Sequence, residues 1–272
     1  MFWRLKKLTF LALSLGSTVL VILFAVPTHA QVSMSPLMVV MNVQNGQGQQ
    51  LVTVRNRTDQ PYRARVYTEP FTYTSNGLEP LQRSPVDLTP YIVFSPRELE
   101  LKPGAERNVR LVVKVPPNLN NTELRSVLFV QDLKEVALSD PNAKAQTAVV
   151  SRIGMPIYAR IGNVEPNLSA LTATYDDGKD RISIRVKNSG AGSTRAWINW
   201  TLEGNGKVVE GKAAPSSIVG ESERDIYIEN DPVIKSLQPG KYQLKGSLDT
   251  ERENSQKTFP FSLTLEVPAP KQ

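Results

Sequence analysis

Apolar and polar residues alternate one for one through much of this 272-residue chain, and no 3.6-residue apolar pattern persists for long. Period two places successive side chains on opposite faces of a strand, so the pattern calls for β-structure, half buried and half solvated. Val52 and Val54 share one face of the run 50–56. Tyr62, Ala64 and Val66 oppose Arg63, Arg65 and Tyr67, and Val109, Leu111, Val113 and Val115 oppose Asn108, Arg110 and Lys114. Residues 126–130 are apolar on both faces at Val127, Leu128, Phe129 and Val130, which suits a central strand covered on both sides. Turn residues separate these runs, at Asn56 to Pro61 and at Lys102-Pro103-Gly104-Ala105. Short strands at this spacing make a sandwich.

The alternation resumes after Gly162-Asn163-Val164-Glu165-Pro166-Asn167. Ile182, Ile184 and Val186 share a face, as do Ala196, Ile198, Trp200 and Leu202, and Asn205-Gly206 is a two-residue hairpin signal. Strands are also expected at 225–228, 242–248 and 259–267. The expected fold is all-β, two immunoglobulin-like β-sandwich domains in tandem after an N-terminal signal peptide. The segments are a signal peptide at 1–30, sandwiches at 31–162 and 163–268, and a tail at 269–272.

The signal peptide is read from Arg4, Lys6 and Lys7, the apolar run 8–26, and Thr28-His29-Ala30, with cleavage after Ala30. The run is about as long as a short membrane span, so an uncleaved anchor is the alternative and the only membrane contact expected. Export sets the location as the periplasm. The chain's one histidine is His29 and it has no cysteine, so the mature form lacks imidazole and thiolate altogether. A Ser-His-Asp triad and His or Cys metal sites are thereby excluded. Asp176-Asp177 sits in a Tyr-Asp-Asp-Gly sequence that turn chemistry explains. No catalytic residue, metal site, cofactor or small-molecule substrate is expected. The net charge of +6 falls to +3 when the signal's three cations are removed, and no Lys/Arg stripe suggests nucleic acid.

Four stretches of the first half resemble the PapD-like pilus-assembly chaperones of bacterial periplasms. They are Leu51-Val52-Thr53-Val54-Arg55-Asn56 with Pro61-Tyr62 and Val66, then Ile92-Val93-Phe94-Ser95-Pro96 with Leu101-Lys102-Pro103-Gly104 and Val109-Arg110-Leu111. Arg125 to Val136 and Ile157-Tyr158-Ala159-Arg160 complete the series. The resemblance implies an ATP-independent chaperone that lends an edge strand to a pilin-like subunit lacking its own last strand. It puts the donor strand at 145–157, with Thr147, Val149, Ser151, Ile153 and Met155 facing the subunit and Met34, Met38, Met41, Leu128 and Val130 flanking the groove.

Two departures bear on that mechanism. The family's basic pair, which holds the subunit's terminal carboxylate, falls here on Met38 and Pro156, and Thr147 and Ser151 stand where large aliphatics are usual. The four methionines of the mature chain fall on the two strands flanking the donor site, where their adaptability suits a binding surface or a core equally. Trp197 lies opposite the Ala196, Ile198, Trp200 face, either exposed as a contact anchor or covered by neighbours. A structural or adhesive envelope-associated immunoglobulin-like protein, without chaperone activity, is the alternative function.

Overall fold

The computed structural model describes residues 32–134, 136–139, 146–229, 231–250 and 257–269. The signal peptide, its cleavage site and the end of the tail lie outside the described residues.

The first half contains β1 (Val32–Ser35), β2 (Val39–Val43), β3 (Gln47–Asn56), β4 (Tyr62–Glu69), β5 (Phe71–Thr74), β6 (Gly77–Pro80), β7 (Ile92–Ser95) and β8 (Glu98–Leu101). It continues with β9 (Glu106–Lys114), β10 (Thr122–Asp132), β11 (Val136–Ser139), β12 (Gln146–Val149) and β13 (Arg152–Ile161). Sheet β1-β3-β9-β7 packs on sheet β2-β13-β10-β4-β8, while β5-β6 and β11-β12 are separate hairpins. The second half contains β14 (Leu168–Asp176), β15 (Arg181–Asn188), β16 (Thr194–Gly204), β17 (Lys207–Ile218), β18 (Ser222–Ile228), β19 (Gly240–Thr250) and β20 (Thr258–Val267). Its sheets are β14-β15-β18 and β17-β16-β19-β20. The protein is therefore all-β, with two immunoglobulin-like sandwiches in tandem.

Each core is built by the alternation. Val109, Leu111 and Val113 of β9 are fully buried against Val52 and Val54 of β3, with Leu128, Val130 and Ile157 from the facing sheet. In the second sandwich Ile182, Ile184 and Val186 meet Ile198, Trp200 and Leu202. Burying one such side chain contributes roughly 1.5–3 kcal/mol. The Asn205-Gly206 turn joins β16 to β17 with both residues at positive φ, 50° and 71°, as a type I′ hairpin turn demands.

A buried asparagine closes a loop in each sandwich. Asn56 Nδ2 donates to the carbonyls of Gln60, Leu101 and Lys102 at 2.7–3.2 Å, and its Oδ1 accepts from Thr58 N–H. Asn188 Nδ2 donates to Gly192 O and Val219 O, and its Oδ1 accepts from the N–H groups of Asn167 and Gly190. Both are wholly buried, and buried amides persist because every polar atom finds a partner.

β10 is covered on both faces, as its apolar run implies. Leu128 and Val130 enter the first core, while Val127 and Phe129 join a separate cluster with Phe71, Tyr158 and Val219. Val219 belongs to the second half of the chain, so this cluster spans the two sandwiches.

A candidate protein-binding edge

β13 pairs along its whole length with β10, Arg152 facing Gln131 and Ile161 facing Thr122. Its other side is covered for only half that distance, because parallel β2 begins at Val39, opposite Ile157. Arg152 to Pro156 thus present a sheet edge to which no strand is hydrogen-bonded among the described residues. Pro156 lies where the cover starts and removes one donor from that edge. Beyond Ser151, whose carbonyl accepts from Asp132 N–H at 2.9 Å, the edge continues into the β11-β12 hairpin. From the Gln131–Arg152 pair to the Val136–Val149 pair, one strand advances five residues and the other three. The surplus falls between Asp132, whose Oδ1 accepts from Lys134 N–H, and Val136.

The residues singled out from sequence occupy distinct environments. Val149 is 41 % exposed, Ser151 is exposed and Ile153 is half-buried against the first core. Met155 is 1 % exposed and belongs to that core, as do Met34, Met41, Leu128 and Val130. Met38 is partly buried and packs against the cluster shared by the two sandwiches. For Thr147 the description extends to the backbone alone, paired with Leu138. Leu37, just ahead of β2, is 80 % exposed. Sequence reasoning passed over Leu37, and its place between Pro36 and the first alternating residues of β2 was the available signal.

The outer face of the edge carries a ladder of rings and guanidinium groups. Arg152 stacks over Phe129 at 4.2 Å and donates to Tyr67 Oη at 3.0 Å, and Tyr67 donates to Gln131 Oε1. Arg65 stacks over Tyr67 and shares the Gln131 acceptor. Gly154 lies under Phe129, with no room for a side chain.

Toward the C-terminal end of β13 the chain turns into the space between the sandwiches. Glu123, with no side-chain exposure, accepts from Arg160 Nε at 3.0 Å and from Ser193 N–H at 3.0 Å, with Arg125 at 4.0 Å. Arg160 also donates to Ser193 O, and Arg125 donates to Gly220 O at 3.4 Å. Burial lowers the pKa of Arg125, with the Glu123 carboxylate opposing that shift, and burial raises that of Tyr158 well above the usual phenol value. Arg224 stacks over Tyr73 and donates to Ser217 O. Sequence reasoning read Arg125, Tyr158 and Arg160 only as strand residues, and their meeting with Glu123 and Ser193 escaped it because most of these partners lie tens of positions apart.

Trp197 is 42 % exposed on the outer face of β16, opposite Asp249. Among the described residues no cluster of His, Cys, Asp or Glu is placed to hold a metal ion, and no helix is long and apolar enough to cross a membrane.

Paired immunoglobulin-like sandwiches with a half-covered edge strand define the class of protein. No protein-family model matches the chain, and no curated protein matches it. Several solved structures resemble it. A chain of the CsuC–CsuE chaperone–tip adhesion subunit pre-assembly complex, from the archaic chaperone-usher Csu pili of Acinetobacter baumannii, is 15 % identical. That match covers 88 % of this chain and 100 % of the other at a TM-score of 0.49. The YadV chaperone is 11 % identical over 85 % of this chain and 100 % of its own, at a TM-score of 0.48. The class 5 fimbriae chaperone CfaA is 16 % identical over 88 % and 100 %, at a TM-score of 0.46.

Proposed function

We propose that this protein is an ATP-independent periplasmic chaperone that binds pilus-type subunits by adding its own edge strand to theirs. The observation that carries the reading is the uncovered stretch Arg152–Pro156 and its continuation past exposed Val149. Unpaired backbone groups on such an edge form a ladder with any extended segment laid beside them, and alternate side chains then supply specificity. Val149 is the exposed apolar side chain that would enter a partner's groove, and half-buried Ile153, packed at the rim of the first core, would border it. Met155 acts from beneath, as part of the packed support of the strand.

The basic residues near the end of the edge are already engaged. Arg125 and Arg160 both face Glu123, so recognition rests on backbone pairing and apolar insertion, without a charge clamp on the subunit's terminal carboxylate. Nothing in the reading calls for a catalytic group or a cofactor.

The test is a pull-down with the tagged mature protein from its own envelope fraction, with captured proteins identified by mass spectrometry. Wild type is expected to retain a pilin-like subunit, and Val149→Asp to lose it while keeping the wild-type melting curve. Capture that is indifferent to Val149→Asp, or only of wall components, would replace this reading with a structural or adhesive role.

A further inference from the structure

The cluster behind the free edge receives one member from the second sandwich. Val219, in the turn between β17 and β18, is 1 % exposed and sits among Phe71, Val127, Phe129 and Tyr158 of the first. Its own sandwich holds that turn firmly. Val219 O accepts from Asn188 Nδ2 at 3.2 Å, Gly220 N–H donates to Ser193 Oγ at 3.1 Å, and Glu221 N–H donates to Gly190 O at 3.0 Å. A Cβ at Gly220 would lie 2.1 Å from Ala191 O, so the turn passes too close to its neighbour for any side chain there. On the other side the cluster reaches both walls of the uncovered notch. Phe129 covers Gly154 of β13, and Met38, just ahead of β2, packs against the same group.

We infer that Val219 is a positioning residue for the binding edge, through which the second sandwich sets the shape of a strand in the first. Protein interiors are close-packed, so removing its methyl groups leaves space into which Phe129 and Tyr158 relax. The element least able to resist that shift is the one paired on a single side, Arg152 to Pro156. The inference rests on the packing beneath the edge and holds whatever partner the edge takes.

Hydrogen exchange on the mature chain, without any partner, tests it. The comparison is wild type, Val219→Ala, and Val219→Thr, which keeps the shape and replaces a methyl by a hydroxyl. Val219→Ala is expected to speed exchange about tenfold at the β10-bonded amides of Ile153 and Met155 and at 129–131, with residues 47–56 and 106–114 unchanged. Val219→Thr is expected to hold wild-type protection at the edge even where its overall melting falls. Unaltered protection at Ile153 and Met155 in Val219→Ala would overturn the inference, because the edge would then not sense the second sandwich. A uniform rise through both sandwiches would overturn it equally, leaving Val219 with a general role in stability. Loss of edge protection in Val219→Thr as great as in Val219→Ala would also count against positioning by shape.

Discussion

The ring of Phe129 occupies the space that a side chain at Gly154 would need, a Cβ there meeting Cε1 at 2.7 Å and Val127 Cγ2 at 3.0 Å. The ring cannot retreat easily, since Arg152 stacks on it at 4.2 Å. Gly154→Ala is therefore expected to cost about 1–3 kcal/mol, as overpacking does. The drop should show as a lower urea midpoint with an unchanged slope. Pairing it with Phe129→Leu should recover part of the loss, and strictly additive costs would show that the two positions do not compete for space.

Glu123 holds two arginines and a backbone N–H between the sandwiches. Glu123→Ala leaves those cations buried and uncompensated, so a loss of about 3–5 kcal/mol is expected. Glu123→Gln keeps an acceptor for Ser193 N–H and should lose less. Chemical denaturation of the three proteins checks this ranking, and a cost for alanine within that of a surface substitution would refute it.

Two tyrosines should weaken the fold in alkali. Tyr62 is pushed up to about 12 by burial and by the Asp132 carboxylate, and burial also raises Tyr158 well above the usual phenol value. A phenol whose folded-state pKa is raised stabilises the fold fully below its ordinary value near 10, and the benefit is lost as pH climbs toward the folded value. Stability measured in urea from about pH 9 to 12 should decline above 10. Tyr62→Phe should flatten that decline, and equal slopes would exclude Tyr62 as a cause.

Partner binding should depend weakly on salt. With Arg125 and Arg160 facing Glu123, raising salt from about 50 to 500 mM is expected to change affinity less than about threefold, because backbone pairing carries no net charge to screen. Amidating the partner's C-terminus should have as little effect. A steep salt dependence, measured by titration calorimetry, would mean that a charge clamp operates after all.

The alternation of β9, β15 and β16 was legible residue by residue, because one buried face leaves period two in the sequence. Asn205-Gly206 announced its hairpin for an equally local reason. The edge is different. Residues 145–157 share one pattern, yet Val149 is exposed and Met155 belongs to the core. What separates them is the point at which β2 comes alongside, and that is a long-range pairing which periodicity does not carry. The same limit hid Glu123, Arg160 and Val219, each polar or unremarkable within its own stretch. The methionines were ambiguous by chemistry, and three of them, Met34, Met41 and Met155, fill the core.

The unequal advance of the two strands beyond β10 bears on how this hairpin can evolve. Its surplus of two residues lies on the β10–β11 side, and on the other side Val149 and Ile153 are an even four positions apart. Gaining or losing a single residue between Val149 and Arg152 would make that separation odd and turn Val149 to the opposite side of the ribbon. Homologues that vary in length there should do so in steps of two, and a library of loop lengths should show activity rising and falling with parity.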